Sequence, residues 1–492
     1  MVLTMSEEIL INVTPRETRV ALVENGVVQE VFIERAQKRG IVGNIYKGRV
    51  CRVLPGMQAA FIEIGLERAA FLHASDIANN LDNSDEETER QDDISQLLRE
   101  GQEVLVQVIK DPLGSKGARL TTHITIPSRY LVLMPGETTV GISTKIEDEE
   151  ERLRLKDIVT SLDIDDAGHG YIIRTVADGI DQQALEVDQK YLCKLWGSIQ
   201  EQMKTTKAGS SVYEDLPLSV RTLRDLVSDD IEKVRVDSRE TFSRLTEFSS
   251  KFVPQFTERL EYYPGERPIF DLYNVEDELQ KALERKVQLK SGGYLVIDQT
   301  EAMTTIDVNT GAYVGHRNLE ETIFKTNLEA AQTITRQLRL RNLGGIIIID
   351  FIDMLLEDHK RQVLRVLEKS LDKDHAKSHI TEVSTLGLVE MTRKRTRESL
   401  EHILCEVCPT CAGRGSIKSA ETVCYELFRE IIREARQYEA RKLLVLASQD
   451  VVDLLLDEES DSLAELESFI EIPIKYQVEA LYNPEQYDIV LM

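Results

Sequence analysis

The chain has 492 residues, with 60 Lys and Arg against 86 Asp and Glu, which gives a formal charge of −26. Its length predicts several domains of about 100 to 200 residues, and 42% hydrophobic with 30% charged residues excludes a collagenous, fibrous or fully disordered chain. No apolar run reaches the roughly 20 residues that span a bilayer and the start lacks a signal-like segment, so we expect a cytoplasmic protein without a membrane segment.

The first 125 residues contain short apolar runs separated by Gly, Pro and Asn-Gly, a pattern typical of antiparallel strands. A hairpin is predicted around Asn25-Gly26, between strands Arg19–Val23 and Val27–Ile33. Short strands follow at Ile45–Leu54, Gln58–Ile64, Ala69–His73, Glu103–Lys110 and Ala118–His123. Five such strands predict a small Greek-key barrel such as an OB fold, with residues 76–100 as a long acidic loop.

The negative charge is concentrated in two segments. Residues 76–103 carry −8 and residues 443–492 carry −11, whereas residues 39–75 together with 104–124 carry +5. The net charge alone argues against a polyanionic partner. Its distribution still allows the predicted barrel to present a positive surface.

Beyond the barrel, the pattern mixes helices and strands. Residues 125–219 contain predicted strands Tyr130–Leu133 and Gly170–Arg174 and predicted helices Asp148–Val159 and Asp181–Thr205, and residues 220–255 are predicted to be helical. From Asn274, which is predicted to cap a helix, helices alternate with strands and form an α/β layer domain. Its predicted elements are Tyr294–Ile297, Met303–Asn309, Leu319–Arg341, Ile346–Phe351, Glu357–Leu371, Ile380–Val383 and Gly387–Thr392. Helix and strand also alternate after Gly415.

Polar side chains lie at the ends of two predicted strands of this layer domain. Asp307 and Asn309 are two apart in a strand and therefore share a face, and Asp350 ends a run of four isoleucines, where open α/β sheets place ligands. If the strands are neighbours, two carboxylates and an amide oxygen suit Mg²⁺ or Mn²⁺. The alternative is that both Asp residues only cap strand ends. Asp298, Glu301 and Asp353 are lower-ranked candidates.

A cysteine cluster predicts a second metal site. Cys405, Cys408 and Cys411 follow His402, and Cys408-Pro-Thr-Cys411 precedes glycines as in half of a zinc knuckle. Zinc needs four ligands, so the site uses all four side chains of one chain or Cys408 and Cys411 from each of two chains. Reduced structural thiols are the alternative, and a redox pair is disfavoured. The other cysteines, Cys51, Cys193 and Cys424, are predicted core residues.

Two basic segments are candidate nucleic-acid contacts. The barrel carries basic and aromatic residues, and OB folds stack bases on aromatics beside a positive groove, although Phe61 and Phe71 fit a barrel core equally well. These residues are Tyr46, Lys47, Arg49, Arg52, Phe61, Phe71, Lys110, Lys116 and Arg119. The run Met391–Arg397 is a candidate contact for a phosphate backbone, or a solvated face.

Five segments place the chain in a known family by resemblance. They are GNIYKGRVCRVLPGMQAAFIEIG, TTIDVNTG, GGIIIIDFIDM, VEMTRKR and CPTCAGRG, and they resemble the ribonuclease E/G family in order and spacing. The resemblance covers essentially the whole chain. It implies an α/β and α+β multidomain fold whose domain boundaries follow the family. These are an RNase H-like domain split between 1–38 and 220–282, an inserted OB-fold RNA-binding domain (39–124) and 5′-sensor domain (125–219), a DNase I-like catalytic domain (283–403), a zinc link (404–415) and a small C-terminal domain (416–492).

The resemblance also implies an activity. It is a Mg²⁺-dependent endoribonuclease that cuts single-stranded, often A/U-rich RNA, leaves 5′-phosphate and 3′-hydroxyl ends and prefers a 5′-monophosphate. The implied substrates are ribosomal RNA precursors and mRNA, and the implied assembly is a homodimer or higher homo-oligomer with structural Zn²⁺ shared between protomers. Two rival functions are a non-catalytic RNA-binding assembly factor and a DNA-directed nuclease.

Residue roles follow from the same resemblance. Asp307 and Asp350 match the metal-holding catalytic pair and Asn309 the adjacent amide, while Cys408 and Cys411 match the zinc link, with Cys405 outside that pattern. The matching RNA-binding positions are Phe61, Phe71 and Lys116 in the barrel and Arg174, Thr175 and Val132 in the 5′ sensor. Ser128 and Thr144 depart from the family residues, Gly and Arg, in that pocket.

Overall fold

The computed structural model describes residues 6–37, 39–78, 93–112, 117–162, 169–227, 230–311, 319–374, 376–438 and 440–492. The chain divides into two compact units between Leu400 and Glu401. No helix in these described ranges is long and apolar enough to cross a membrane.

Strands and helices alternate in groups along the chain. The strands are β1 (Glu7–Val13), β2 (Glu17–Glu24), β3 (Val27–Arg35), β4 (Ile45–Leu54), β5 (Ala59–Glu63), β6 (Ala70–His73), β7 (Glu103–Lys110), β8 (Arg119–Thr121), β9 (Ile126–Pro127), β10 (Leu131–Met134), β11 (Val140–Ile142), β12 (Gly170–Ile173), β13 (Ser210–Tyr213), β14 (Ile231–Val236), β15 (Leu260–Tyr262), β16 (Lys286–Gln288), β17 (Tyr294–Gln299), β18 (Met303–Asn309), β19 (Gly345–Asp350), β20 (Ser378–Val383), β21 (Leu388–Arg393), β22 (Leu443–Ala447), β23 (Ile474–Val478) and β24 (Tyr487–Leu491). The α-helices are α1 (Ile94–Leu97), α2 (Glu149–Ser161), α3 (Gln182–Thr205), α4 (Leu218–Asp225), α5 (Arg239–Phe252), α6 (Val275–Lys281), α7 (Leu319–Leu340), α8 (Glu357–Leu371), α9 (Leu400–Leu404), α10 (Ala420–Gln437), α11 (Gln449–Leu456) and α12 (Ser460–Ile470).

The first sheet joins the start of the chain to residues more than 200 positions later. Its order is β15-β14-β1-β2-β3, with β14 parallel to β1. The prediction of helix throughout 220–255 is therefore wrong at β14, where Ile231, Val234 and Val236 are buried and Glu232 is exposed. Its partner strand β1 is more than 200 residues away in sequence, so a local sequence pattern does not predict this pairing.

The predicted barrel is present. Its order is β13-β4-β5-β6-β8-β7, and an additional pairing of β4 with β7 closes it. The five strands lie within two residues of their predicted bounds. Residues 79–92 of the predicted acidic loop lie outside the described residues, and the end of that segment is not a loop, because α1 places Ile94 in the barrel core.

A four-stranded sheet follows the barrel in sequence. Its order is β11-β12-β10-β9, and α2 and α3, both of which the sequence predicts as helices, pack on it. Asn274 precedes α6 as predicted but adopts the left-handed conformation, with φ of 52°, and makes no side-chain cap hydrogen bond. The sequence therefore predicts correctly where this helix begins, but the predicted side-chain cap by Asn274 is wrong.

The α/β layer domain has one covered and one open sheet face. The sheet order is β16-β17-β18-β19-β21-β20, with β18 parallel to β19. Ile306, Val308, Ile347 and Ile349 point to the covered face and pack with buried residues of α7 and α8. The alternate residues point to the opposite face, because side chains of a strand alternate in direction.

Part of the basic run at the end of β21 is structural. Arg393 is buried, and its guanidinium donates to both carboxylate oxygens of Asp374 at 2.6 and 3.0 Å and to the carbonyl oxygen of Leu343 at 2.8 Å. Arg397 stacks on the ring of Phe32, with its guanidinium carbon 3.6 Å from the ring centroid. The predicted phosphate-backbone role therefore does not hold for Arg393.

The second unit has its own core. A three-stranded sheet of order β23-β22-β24 packs with α10, α11 and α12, and buried Cys424 lies in that core as predicted. Cys51 and Cys193 in the first unit are exposed, so the prediction that they are core residues is wrong. Cys51 lies on an outward-facing position of the long barrel strand β4.

Replacing Arg393 with Ala should destabilise the first unit, because Asp374 would stay buried without its partner. Breaking a buried ion pair in this way costs about 3 to 5 kcal/mol. We expect the urea midpoint, followed by circular dichroism, to fall by about 1 M or more.

Arg361→Ala is the matched control, because its ion pair with Asp358 is between side chains 75% and 67% exposed. Such exposed pairs contribute about 0 to 1 kcal/mol. Equal destabilisation by the two variants would contradict the role assigned to burial.

Candidate functional site

The two predicted metal-binding carboxylates face each other across adjacent strands. Asp307 near the end of β18 is directly paired in register with Asp350, the last residue of β19. Both side chains are exposed on the open face of the sheet. The predicted neighbourhood of the two strands is therefore confirmed.

The electrostatics of this pair are unfavourable in the absence of a cation. Partial burial, the charge of Asp307 and the charge of Asp353 together raise the pKa of Asp350 above its ordinary value. Within the described ranges, no Lys, Arg or His nitrogen lies within 4.0 Å of either carboxylate. A bound divalent cation would relieve this repulsion, so the donor set fits Mg²⁺.

Asn309 completes the group, as its spacing predicts. Its amide nitrogen donates to a carboxylate oxygen of Asp307 at 2.8 Å, which fixes the orientation of that carboxylate. Of the lower-ranked candidates, Asp298 is engaged by Arg285 at 2.8 Å, and Asp353 lies in the loop after β19. Asp353 nevertheless acts on Asp350 through its charge.

The described part of the chain holds no cluster of three or more His, Cys, Asp or Glu side chains that could bind a metal ion. At the ends of β18 and β19, the side chains that could hold a metal ion are the carboxylates of Asp307 and Asp350 and the amide oxygen of Asn309. Mg²⁺ usually keeps several waters and takes substrate phosphate oxygens beside one or two carboxylates. In the second unit, His402, Cys405, Cys408 and Cys411 do not converge, so the predicted single-chain zinc site is not assembled.

The predicted 5′-sensor arginine is held in place by two partners. Arg174 follows β12 and donates to the carbonyl oxygen of Ser128 at 2.6 Å and to Asp225 at 2.8 Å. Burial alone would raise the pKa of Asp225, but hydrogen bonds from Arg224 and the charges of Arg224 and Arg174 hold that pKa below its ordinary value. The sequence did not indicate Asp225, which lies 51 residues from Arg174 in another element.

The other residues predicted for the 5′ sensor lie on neighbouring elements of the same sheet. Thr175 follows Arg174, and its hydroxyl is 2.8 Å from that of Ser143. Val132 lies on the neighbouring strand β10, opposite Ile172 of β12. Ser128, which departs from the family residue, is buried and donates its hydroxyl to Asp188 at 2.6 Å.

Asp188 explains how this serine is accommodated. Its carboxylate also accepts hydrogen bonds from the backbone N–H groups of Tyr130 and Leu131, both at 2.9 Å. Burial raises the pKa of Asp188 despite these bonds. The extra hydroxyl of Ser128 therefore satisfies a buried carboxylate. Thr144, the second departure, is exposed.

The barrel presents a pair of aromatic rings. Phe61 and Phe71 are paired across β5 and β6, with ring centroids 6.2 Å apart in an edge-to-face arrangement. Both are half-buried and lie outside the barrel core, which favours the surface role over the core role. Lys116 lies outside the described residues.

Several barrel cations are already paired. Lys47 lies 3.1 Å from Glu103, and Arg119 lies 2.9 Å from Asp76. Tyr46 is buried in the barrel core, so it cannot stack on a base. The positive charge that remains for a ligand is therefore smaller than the +5 of the sequence.

The hydrogen bonds around Cys408 favour the thiolate form of this side chain. Hydrogen bonds from the backbone N–H groups of Cys411 and Thr410, and then from the Cys411 side chain, lower the pKa of Cys408. The turn uses left-handed conformations at Ala412 and Gly413, with φ of 49° and 84°. Cys405 and Cys408 are exposed.

Comparison with known proteins agrees with this architecture. Residues 41–121 match the sequence model of the S1 RNA binding domain, and residues 407–491 match that of the RNase E/G, Thioredoxin-like domain. The barrel is thus an S1 domain, and the second unit is thioredoxin-like. Fold and site together define a nuclease-type protein, with an S1 barrel attached to a domain that carries paired carboxylates.

Residues 125–396 match the model of the Ribonuclease E/G family. The chain is 58% identical over 491 residues to ribonuclease G of Escherichia coli strain K12, covering 99% of this chain and 100% of that protein. It is 54% identical over 489 residues to ribonuclease G of Haemophilus influenzae, covering 99% of each chain. Identity to ribonuclease E of Escherichia coli strain K12 is 36% over 465 residues, which are 94% of this chain and 44% of that protein. The chain belongs to the ribonuclease E/G family, as its motifs predict.

After treatment with a chelator, Cys408 should react with iodoacetamide faster than exposed Cys51 between pH 6 and 8. A lowered pKa leaves a larger thiolate fraction at each pH in this range, and the thiolate is the reactive form. Mass spectrometry of the labelled peptides gives both rates.

Cys424 is the protected control in the same samples, because burial raises its pKa to about 11. We expect it to stay unlabelled in the folded protein. If Cys408 reacted no faster than Cys51 across the pH range, the lowered pKa of Cys408 would be contradicted.

Proposed function

We propose that the protein is a Mg²⁺-dependent endoribonuclease that hydrolyses single-stranded, often A/U-rich RNA and leaves 5′-phosphate and 3′-hydroxyl ends. The observation that carries this proposal is the in-register pair Asp307 and Asp350, which faces solvent without a neutralising cation among the described residues. Full-length similarity to proteins named ribonuclease G supports the choice of RNA. The proposed cellular roles are maturation of ribosomal RNA precursors and decay of mRNA in the cytoplasm.

The catalytic group works through orientation and charge. Asp307 and Asp350 would hold Mg²⁺, which activates water and neutralises charge on the phosphodiester when it is bound. Asn309 holds the carboxylate of Asp307 in position through its amide N–H, so that carboxylate loses little freedom when RNA binds. The open sheet face leaves room for an extended single strand above the pair.

The barrel and the predicted 5′ sensor would bind other parts of the same RNA strand. Phe61 and Phe71 would stack on bases, since aromatic rings on an OB barrel accept any base, and Lys116 would contact the backbone. Arg174 and Thr175 would bind a 5′-monophosphate, with Val132 as a pocket wall, because a guanidinium offers paired donors to phosphate oxygens.

Zinc would link two chains in a homo-oligomer. Cys408 and Cys411 of each of two protomers supply four thiolates, the number that tetrahedral zinc needs. The separation of Cys405 and His402 from this pair supports the shared site. In the labelling experiment, zinc should therefore protect Cys408 and Cys411 and leave Cys405 reactive.

Asp307→Asn and Asp350→Asn should each lower kcat on 5′-monophosphorylated single-stranded RNA by about 1,000-fold, because several kcal/mol of charge stabilisation depend on the metal. RNA affinity measured in Ca²⁺ should change by less than about threefold. Mn²⁺ binding, measured by calorimetry, should weaken in both variants.

Asp298→Asn is the matched control, because this carboxylate lies on the neighbouring strand β17 but is engaged by Arg285. It should keep its activity. Near wild-type cleavage by Asp307→Asn would overturn the mechanism, RNA binding by wild type without metal-dependent products would favour an assembly factor, and equal cleavage of DNA would favour a DNA-directed nuclease.

Arg174→Ala should abolish any preference for 5′-monophosphorylated over 5′-hydroxylated RNA, while cleavage of the 5′-hydroxylated RNA stays near wild type. The reason is that, of the groups of the RNA, the guanidinium contacts only the terminal phosphate in this proposal. The measurement is the ratio of kcat/KM for the two substrates.

Arg174→Lys should recover only part of that ratio, because an ammonium keeps the charge but loses the planar pair of donors. Equal rates of wild type on the two substrates would remove 5′ sensing from the proposal. Endonucleolytic activity would remain a separate result.

A further inference from the structure

The open face of the catalytic sheet extends two strands beyond the carboxylate pair. Lys286 of β16 lies in register with Val296 of β17, which is paired with Asp307 of β18. Tyr294 of β17 is directly opposite Asn309. Because residues in register point to the same face, Lys286 and Tyr294 share the open face with the catalytic group.

Lys286 and Tyr294 form a cation and ring pair at this position. The ammonium nitrogen of Lys286 lies 3.8 Å from the centroid of the Tyr294 ring. Lys286 is exposed and Tyr294 is half-buried. A Cβ placed on Gly311 would lie 3.2 Å from the ring. The backbone of this glycine therefore supports one edge of the ring.

The charge of Lys286 is not used elsewhere in the described protein. Within the described ranges, no carboxylate oxygen lies within 4.0 Å of its ammonium group. The adjacent Arg285, by contrast, is neutralised by Asp298, with one contact of 2.8 Å. Of these two neighbouring cations, Lys286 is the one whose charge remains available to a ligand.

The distances suit a nucleotide next to the cleaved bond. Neighbouring strands lie about 4.8 Å apart, so Tyr294 is about one strand from Asn309 and Lys286 is roughly 10 Å from Asp307. Asp307, Asp350 and exposed Glu390 make the rest of this face acidic. An RNA strand that crosses this acidic face therefore needs positive charge at two places, from the metal ion at the carboxylate pair and from a protein cation beside it.

We propose that Lys286 and Tyr294 form a nucleotide-binding subsite beside the catalytic group, which binds the base and phosphate of one RNA residue adjacent to the cut. In the free protein, the ammonium group lies over the ring. When RNA binds, the base takes that ring face and the flexible lysine side chain moves its ammonium to the phosphate. Stacking on an aromatic ring exceeds a solvent-exposed cation contact in strength, so the exchange is favourable.

This inference rests on the proposed endoribonuclease function, and the experiment separates the two. Wild type must cleave a 5′-monophosphorylated, A/U-rich single-stranded RNA in Mg²⁺, and Asp307→Asn must not. If wild type does not cleave, the proposed function fails. If it cleaves and the subsite variants behave as wild type, the subsite alone is wrong.

Tyr294→Leu keeps an apolar side chain against Gly311 but removes the aromatic face. It should weaken RNA binding about five- to hundredfold, the range measured for loss of one stacked base, with kcat changed less than twofold. Tyr294→Phe should bind within twofold of wild type. A thermal melt of each variant checks that the fold is intact.

Lys286→Gln should weaken binding about three- to tenfold and lower the slope of log affinity against log salt by about one, as loss of one phosphate contact does. Arg285→Gln, the neighbouring control, should leave both quantities unchanged. An equal loss of salt dependence in the two variants would overturn the assignment of Lys286.

A substrate scan locates the base. Single abasic residues are placed in turn within three nucleotides on either side of the cut, and wild type should lose affinity at one of these positions through loss of stacking on Tyr294. Tyr294→Leu should show no further loss at that position. The same abasic penalty at every position in wild type and in Tyr294→Leu would overturn the subsite.

Discussion

The repulsion between Asp307 and Asp350 is the constraint that the sheet from β16 to β21 must accommodate. Two carboxylates are paired directly across parallel strands, at the end of the sheet where the chain leaves both strands. Partial burial, and after it the charge of Asp307, raise the pKa of Asp350. The hydrophobic core beneath must hold the register, because a slip of one residue would turn every side chain of β18 to the opposite face. The buried Ile306, Val308, Ile347 and Ile349 supply that hold, each lying beside a polar or exposed position of the open face.

An acidic protein that binds a polyanion must separate its charges, and here internal pairing decides which cations stay free. Three basic residues form ion pairs within the protein: Arg393 with Asp374, Arg119 with Asp76 and Lys47 with Glu103. Counting basic residues in the sequence therefore overestimates the surface that RNA can contact. The aromatic pair Phe61 and Phe71 gains importance for the same reason, because stacking on a ring does not depend on net charge.

The sequence predicted the features that local pattern determines. The alternation in β18 and the isoleucine run of β19 located the carboxylates, since side-chain direction in a strand follows from position alone. The barrel strands were equally visible. Partners that lie far apart in sequence were not: β14 pairs with β1, Asp225 holds Arg174, and Asp374 binds Arg393. These contacts depend on tertiary packing, which no single segment encodes, and so a basic run could be mistaken for a ligand surface.

Similar long-range contacts link the first sheet to the loop that follows β19. Arg339 of α7 is buried between Glu24 and Glu30 of the first sheet, at 3.2 and 3.0 Å. Twelve residues earlier on α7, the fully buried Asn327 donates to the carbonyl oxygen of Ile352 at 2.8 Å and accepts from its N–H at 3.2 Å. Ile352 follows Asp350 by two residues. Helix α7 therefore contacts the first sheet through the Arg339 ion pairs and the loop after β19 through the Asn327 amide. The first sheet, whose strands come from before and after the barrel in sequence, is thus joined through one helix to the loop that follows Asp350.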